Sequence, residues 1–402
     1  MNALRPSPAR SRSCIASRTW RRVSVFLGLP FLSLFIASSP AGTVVLERVP
    51  EGGIQPQAAV DDRGIVHLLY FKGAPPGGDL FYIRKERRGS DFTSAIRVNS
   101  REGSAIAVGT IRGGQLAIGE GGRVHVAWNG LAPKGGDWMQ APMLYARMND
   151  AGTAFEPERD VIVKARGLDG GGSVAADGKG HVYVAWHASK PGNTNGEAGR
   201  AVHIAVSSDG GKTFASERLA LEEPTGACGC CGMRMLADDR GRLFVSYRGA
   251  LESGQRDQKL LVARDWESGF QVTFTDPWKV ATCPMSSTTF SRTPHSVLAA
   301  WETSGQVRVS RWDDAQSRWS PPMTPSGVGK NRKHPVAVGN SQGEYLLAWT
   351  EETGWAKGGD VAWQIFDREG RPTEVRGRRE GLPTWSLVSA YAESDERFVI
   401  LY

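Results

Sequence analysis

The sequence predicts an all-β propeller of seven blades, built as a single domain over residues 42–402, and three observations predict it. Alternating apolar strands ending in an aromatic residue recur along the chain, their spacing is roughly 50–60 residues, and no long stretch carries the 3.6-residue period of a helix. Strands with turn signals at a blade-sized repeat, and no helices between them, build a ring of sheets rather than an α/β sheet.

Residues 1–41 read as a leader that precedes the fold. Six arginines (Arg5, Arg10, Arg12, Arg18, Arg21 and Arg22) come before the apolar run Val23–Ala37, and the small residues Ser39 and Ala41 follow it. That run is broken by Gly28 and Pro30 and falls short of the ~20 residues that span a bilayer. Cleavage after Ala41, export to the periplasm or the medium, and no stable membrane insertion are therefore expected. Of 49 basic residues the leader holds six and it holds no acid, which leaves 43 against 42 acidic, a charge of +1. A nearly neutral domain has no field to collect nucleic acid, so that partner is not expected.

The repeat units begin near residues 54, 114, 171, 231, 284 and 333. Their second strands are VHLLY, VHVAW, HVYVAW, RLFVSY, SVLAAW and EYLLAW, four of them introduced by a turn such as Asp62-Arg63-Gly64 or Asp239-Arg240-Gly241. A last pair, Leu387–Tyr391 and Arg397–Tyr402, is completed by Thr43–Val49 from the other end, giving seven blades; leaving that pair out of the ring gives the six-bladed alternative.

Later in each unit comes a second mark. Ser207-Ser208-Asp209-Gly210-Gly211-Lys212-Thr213-Phe214 is S-x-D-x-G-x-T-F: the aspartate satisfies turn amides, a glycine takes the permissive angle, and Phe214 packs between strands. The same Asp-to-aromatic offset joins Asp150 to Phe155, Asp265 to Phe270 and Asp314 to Trp319. This is the Asp-box, and with it the chain resembles the sialidase (neuraminidase) superfamily over its whole length after the leader. In that family the Asp-boxes are structural turns away from the active face. Ser207, Asp209, Gly211, Thr213 and Phe214 are accordingly expected to be structural.

In a propeller the innermost strands start, and the second strands end, on one face, where polar side chains gather around the axis. After the second-strand aromatic stand Phe71, Asn129, His187, Arg248, Glu302 and Thr350, and near the innermost-strand starts stand Gln57, Arg112, Gln115, Asp169, Arg234 and His334. Arg248, Arg256 and Asp257 share one loop, YRGALESGQRD, and Glu302 lies on the neighbouring blade. These groups suit recognition of a glycan or another small polar ligand by bidentate arginine contacts, with Arg234, Arg256, His187, Asn129 and Gln115 as binding candidates. The resemblance implies glycoside hydrolysis of the exo-α-sialidase type, by three arginines on a carboxylate, a tyrosine nucleophile with a glutamate, and an aspartate acid/base. By position Arg248, Tyr247, Glu302 and Asp257 fill those roles. The family's first arginine opens blade one in an Arg-Ile-Pro motif; here the segment reads Ile54-Gln55-Pro56-Gln57 and the arginine is missing. A non-catalytic binding propeller is the alternative.

Four cysteines follow the leader. Cys228-Gly229-Cys230-Cys231-Gly232-Met233-Arg234 enters the fourth innermost strand, and Cys283-Pro284-Met285 enters the fifth. Their even number and export favour disulfides between blades four and five. The sharper alternative is a copper or zinc site made of Cys228, Cys230, Cys231 and Cys283 with Met233 and Met285, or a redox-active pair. The block C-G-C-C-G-M-R with C-P-M is also similar to exported bacterial propellers labelled exo-α-sialidase.

Overall fold

The computed structural model describes residues 42–402 apart from 88, 90, 133–136, 169, 190–191 and 330. The predicted leader lies outside the described residues. Among the described residues no helix is long and apolar enough to cross a membrane.

The strands form seven sheets. Six are four-stranded antiparallel meanders running outward from the axis; blade four is Arg234–Ala237, Leu243–Arg248, Gln258–Ala263 and Gln271–Asp276. The seventh has three strands, Ser389–Ala392 innermost, then Phe398–Leu401, then Val44–Glu47 from the other end of the domain. Val44–Glu47 runs parallel to Phe398–Leu401, with Val44 opposite Phe398 and Glu47 opposite Leu401. The seven-blade reading therefore holds, and the six-bladed alternative does not.

Each second strand is buried on both faces, which explains its nearly continuous apolar run. In Val124–Asn129 and Leu243–Arg248 every residue is buried. One apolar cluster fills each of the seven blade interfaces, and the conserved offset of the aromatic places Trp128, Trp186 and Trp301 in them without exposure. Burying such a side chain contributes roughly 1.5–3 kcal/mol. The indole N–H of Trp186 donates to the Ala165 carbonyl at 3.0 Å and that of Trp301 to Asp276 at 2.7 Å, so these two rings come in with their polar atoms satisfied, while the Trp128 N–H has no partner among the described residues.

Innermost strands start, and second strands end, at what is called here the entry face. The hairpins after the innermost and third strands lie at the opposite turn face. The first kind of hairpin is tied by the aspartate one place earlier than the turn sequence suggests. Asp61, not Asp62, accepts the Arg63 and Ile65 amides at 3.0 and 2.9 Å, and Asp238, not Asp239, accepts those of Arg240 and Arg242 at 3.0 and 2.9 Å.

Candidate functional site

The polar residues that end the second strands are brought to one face, as expected, but they are covered. Phe71, Asn129, His187, Arg248, Glu302 and Thr350 are all buried, because the segment entering the next blade passes over them. Several stitch blade to blade. Asn129 donates to the Gly170 carbonyl at 2.5 Å, and a Cβ on Gly170 would overlap the His187 ring, so only glycine fits there. Arg248 donates to Ser286 Oγ at 3.2 Å, to the Arg256 carbonyl at 2.8 Å and to the Glu302 carbonyl, with its guanidinium 4.9 Å above the Trp278 ring.

Three cysteines converge beside Arg248. Cys228 Sγ is 3.4 Å from Cys230 Sγ, Cys230 Sγ is 4.0 Å from Cys231 Sγ, and Ser286 Oγ donates to Cys231 Sγ at 4.0 Å. Burial opposes ionisation of Cys231, but hydrogen bonds from Cys228 and Cys230 and the Arg248 charge prevail and hold it well below the ordinary thiol range. Cys230 is pushed up by its hydrogen bonds to Cys228 and Cys231; Cys228 is lowered by Cys230 but raised more by Cys231 and burial. All four cysteines are free, and Cys283 is exposed, outside the group. The expected disulfides between blades four and five are absent here, since ~2.05 Å is needed for a bond, and the four-cysteine grouping reduces to three. Met233 packs in the interface core of blades three and four, and Met285 lies beside His334 and Trp385.

The catalytic candidates separate. The Tyr247 ring is in the interface core, its hydroxyl 2.6 Å from Thr225 Oγ1, and burial pushes its pKa up to about 12. It follows Ser246 and precedes Arg248 in one strand, so it faces the opposite side of the sheet from Arg248. Asp257 accepts from Gln255 and from the Trp278 amide at 3.1 Å. Glu302 is fully buried: burial raises its pKa against the lowering by Arg248 and the Gly305 amide, and its Oε2 has no hydrogen-bond partner. Arg256 pairs with Glu197 at 2.8 Å, and Glu197 also accepts the Gly229 amide at 2.5 Å, pinning the cysteine loop. Nothing in the loop sequence around Glu197 announces that role. Gln55, in the Ile54-Gln55-Pro56-Gln57 segment that lacks an arginine, donates to the Ala107 and Trp385 carbonyls at 2.6 and 2.8 Å and joins the entries of neighbouring blades.

The turn-face residues behave as structure. Ser207 Oγ donates to Asp209 at 2.7 Å and accepts the Gly211 amide at 2.9 Å, while Asp209 accepts the Thr213 amide at 2.9 Å and its hydroxyl at 2.6 Å. Burial would raise the Asp209 carboxyl, but these bonds outweigh it and lower it well below the usual range. Phe214 meets Tyr145 edge-on at 4.8 Å.

Open volume lies along the axis. A lumen of about 640 Å³ is walled by the innermost strands, where small or branched apolar residues such as Ala117, Val174, Ala175, Val336 and Ala390 share the lining with polar and charged ones. Gln57, Arg234, Thr289 and Ser389 stand at its entry-face end, and its mouth on the turn face mixes acidic residues (Asp61, Asp62, Asp239, Glu393 and Glu396) with Lys85, Arg87 and Arg292. The entry-face end is capped by Ile111, which is buried. A Cβ on Gly171 would overlap the Ile111 carbonyl oxygen, and one on Gly232 would stand 3.5 Å from its Cγ2, so glycines let blade entries close over the axis. Gln115 is buried beside this end, with Oε1 lacking a partner. Arg234 starts an innermost strand and lines the lumen; among the described residues it has no ion pair and no side-chain hydrogen bond, and burial alone lowers its pKa to about 10. A guanidinium so placed stays charged at neutral pH with its donors unspent.

No family model matches the chain, and no curated protein matches it. Solved structures similar to it include a Penicillium chrysogenum alpha-L-arabinanase complexed with arabinobiose, at TM-score 0.48 and 13% identity over 80% of this chain and 95% of that one. A leech intramolecular trans-sialidase complexed with 2,7-anhydro-Neu5Ac gives 0.47 and 7% over 89% and 86%. The NanB sialidase from Streptococcus pneumoniae gives 0.43 and 10% over 88% and 66%.

Proposed function

We propose that this chain is an exported, sialidase-like Asp-box propeller that binds a carboxylate-bearing glycan or a similar small acid through its axial lumen, with Arg234 as the anion receptor. The observation that carries the reading is the Arg234 guanidinium at the entry-face end of the lumen, which among the described residues has neither an ion pair nor a side-chain hydrogen bond. Desolvating a cation costs free energy unless something pairs with it, and a planar fork matches a carboxylate in two contacts. Gln57, Thr289 and Ser389 add polar groups at the same end for hydroxyls. Binding rather than hydrolysis is favoured, because Tyr247, Asp257 and Glu302 are each engaged or enclosed away from the lumen.

The test is calorimetric titration of the full chain with a panel of sugar acids, each beside its amide. One acid is expected to bind and its amide not, and Arg234→Met is expected to weaken binding about 10- to 100-fold, the loss of a charged hydrogen-bonded contact of roughly 1.5–3 kcal/mol. Equal binding of acid and amide, or undiminished binding by Arg234→Met, sinks the reading. Release of free sugar from a glycan panel would instead establish turnover.

A further inference from the structure

The lumen reading leaves the entry-face thiols without a role, and their geometry carries a separate assignment. The three sulfur atoms lie within 4.8 Å of one another. Thiolates held roughly 2.3 Å from one metal ion stand roughly 3.8–4.0 Å apart in tetrahedral or trigonal geometry, so small side-chain adjustments suffice to seat an ion between them. We propose that Cys228, Cys230 and Cys231 bind one soft metal ion, Cu(I).

The donor set argues for that ion class. It is all sulfur, and among the described residues no histidine or carboxylate joins the group. Soft donors select soft ions, and a structural zinc site is almost always closed by a fourth ligand. The loop is also held by hydrogen bonds of its own. The Cys228 amide donates to the Arg248 carbonyl at 2.9 Å, the Gly229 amide to Glu197 at 2.5 Å, the Cys231 amide to the Cys228 carbonyl at 3.3 Å and the Gly232 amide to the Ser286 carbonyl at 2.8 Å. The Arg248 guanidinium reaches the same Ser286 Oγ that donates to Cys231 Sγ, and so stands beside the thiolates that metal binding requires. Cys228 and Cys231 are buried while Cys230 is partly exposed, which gives the ion a way in. Binding displaces the thiol protons to solvent and needs no oxidant.

The experiment titrates the reduced, metal-free full chain with Cu(I) against a chromophoric chelator under anaerobic conditions. One equivalent is expected, Cys230→Ser is expected to lower the affinity at least 100-fold, and Cys283→Ser is expected to leave it unchanged. X-ray absorption of the loaded, unsubstituted protein is expected to show a first shell of three sulfurs, a readout that stands even if the serine variant misfolds. A shell of nitrogen and oxygen, tighter binding of Zn(II) than of Cu(I), or full affinity in Cys230→Ser overturns the assignment. Arg234→Met, which tests the lumen, is expected to keep its one equivalent, so the two readings fail separately.

Discussion

Glu217 stands three residues after Phe214 and reaches into the preceding segment, where its carboxylate accepts the amides of Val163 at 3.3 Å, Lys164 at 2.6 Å and Ala165 at 2.5 Å. Glu158 stands three residues after Phe155 and accepts the Ser100 and Arg101 amides at 2.7 and 3.1 Å. Burial raises the Glu217 pKa, but the amides lower it more, so the folded value lies below the ordinary one of 4.5. A carboxyl depressed on folding stabilises the protein fully above its unfolded pKa, and that contribution is lost as pH falls through the folded value. Glu217→Gln is therefore expected to cost about 2 kcal/mol near neutral pH, with the gap to the parent closing as pH drops below about 4. Urea denaturation at a series of pH values checks it, and a gap that stays constant would remove the charge from the explanation. The F-x-x-E spacing follows two of the Asp-box aromatics, Phe155 and Phe214, yet nothing local says that the carboxylate leaves its own blade. Arg234 shows the same limit in reverse: its place at a strand start is legible, its lack of a partner among the described residues is not.

Hairpins are the element the sequence describes best, because their bonds are made within a few residues. Ser207 to Phe214 closes on itself as the pattern requires, whereas the Asp61 and Asp238 hairpins needed the structure to tell which of two adjacent aspartates does the tying. Gly210 and Gly211 both have positive φ, 70° and 79°, but a Cβ on Gly211 would run into the Tyr145 hydroxyl, while the nearest atom to one on Gly210 is 3.8 Å away. Gly210→Ala is expected to cost about 1 kcal/mol for backbone strain. Gly211→Ala is expected to cost about 1–3 kcal/mol more for the overlap, and chemical denaturation of both should give that order. Strand ends are less transparent. Alternation assigns Asn129, His187, Arg248 and Glu302 to the correct end of their blades, but the segments that bury them come from neighbouring repeats, and a pattern read one repeat at a time carries no such information.

For the ring as a whole, closure rests on a strand of four residues from one end lying parallel to a strand from the other. Val45 packs toward the interface of blades seven and one, and Leu46 toward that of six and seven, so this short segment serves two interfaces at once. Val45→Pro deprives the ladder of an amide and is expected to destabilise closure by about 3 kcal/mol. Hydrogen exchange should then show lost protection in Phe398–Leu401 with Val182–Ser189 little changed; unaltered exchange in Phe398–Leu401 would mean that the joint is carried elsewhere. The blade number was legible because the repeat and both loose ends are sequence features. The Ile111 cap was not, because it depends on glycines of blades three and four meeting a loop of blade two. That cap makes the axis a shaft with a floor. Innermost strands of about four residues at roughly 3.3 Å each give it a depth near 13 Å, and whatever enters from the turn face must leave by the same mouth. Such a shaft works as a depth gauge: a short guest drops out of sight, and a longer one leaves its remainder standing outside, among the acidic and basic side chains of the rim.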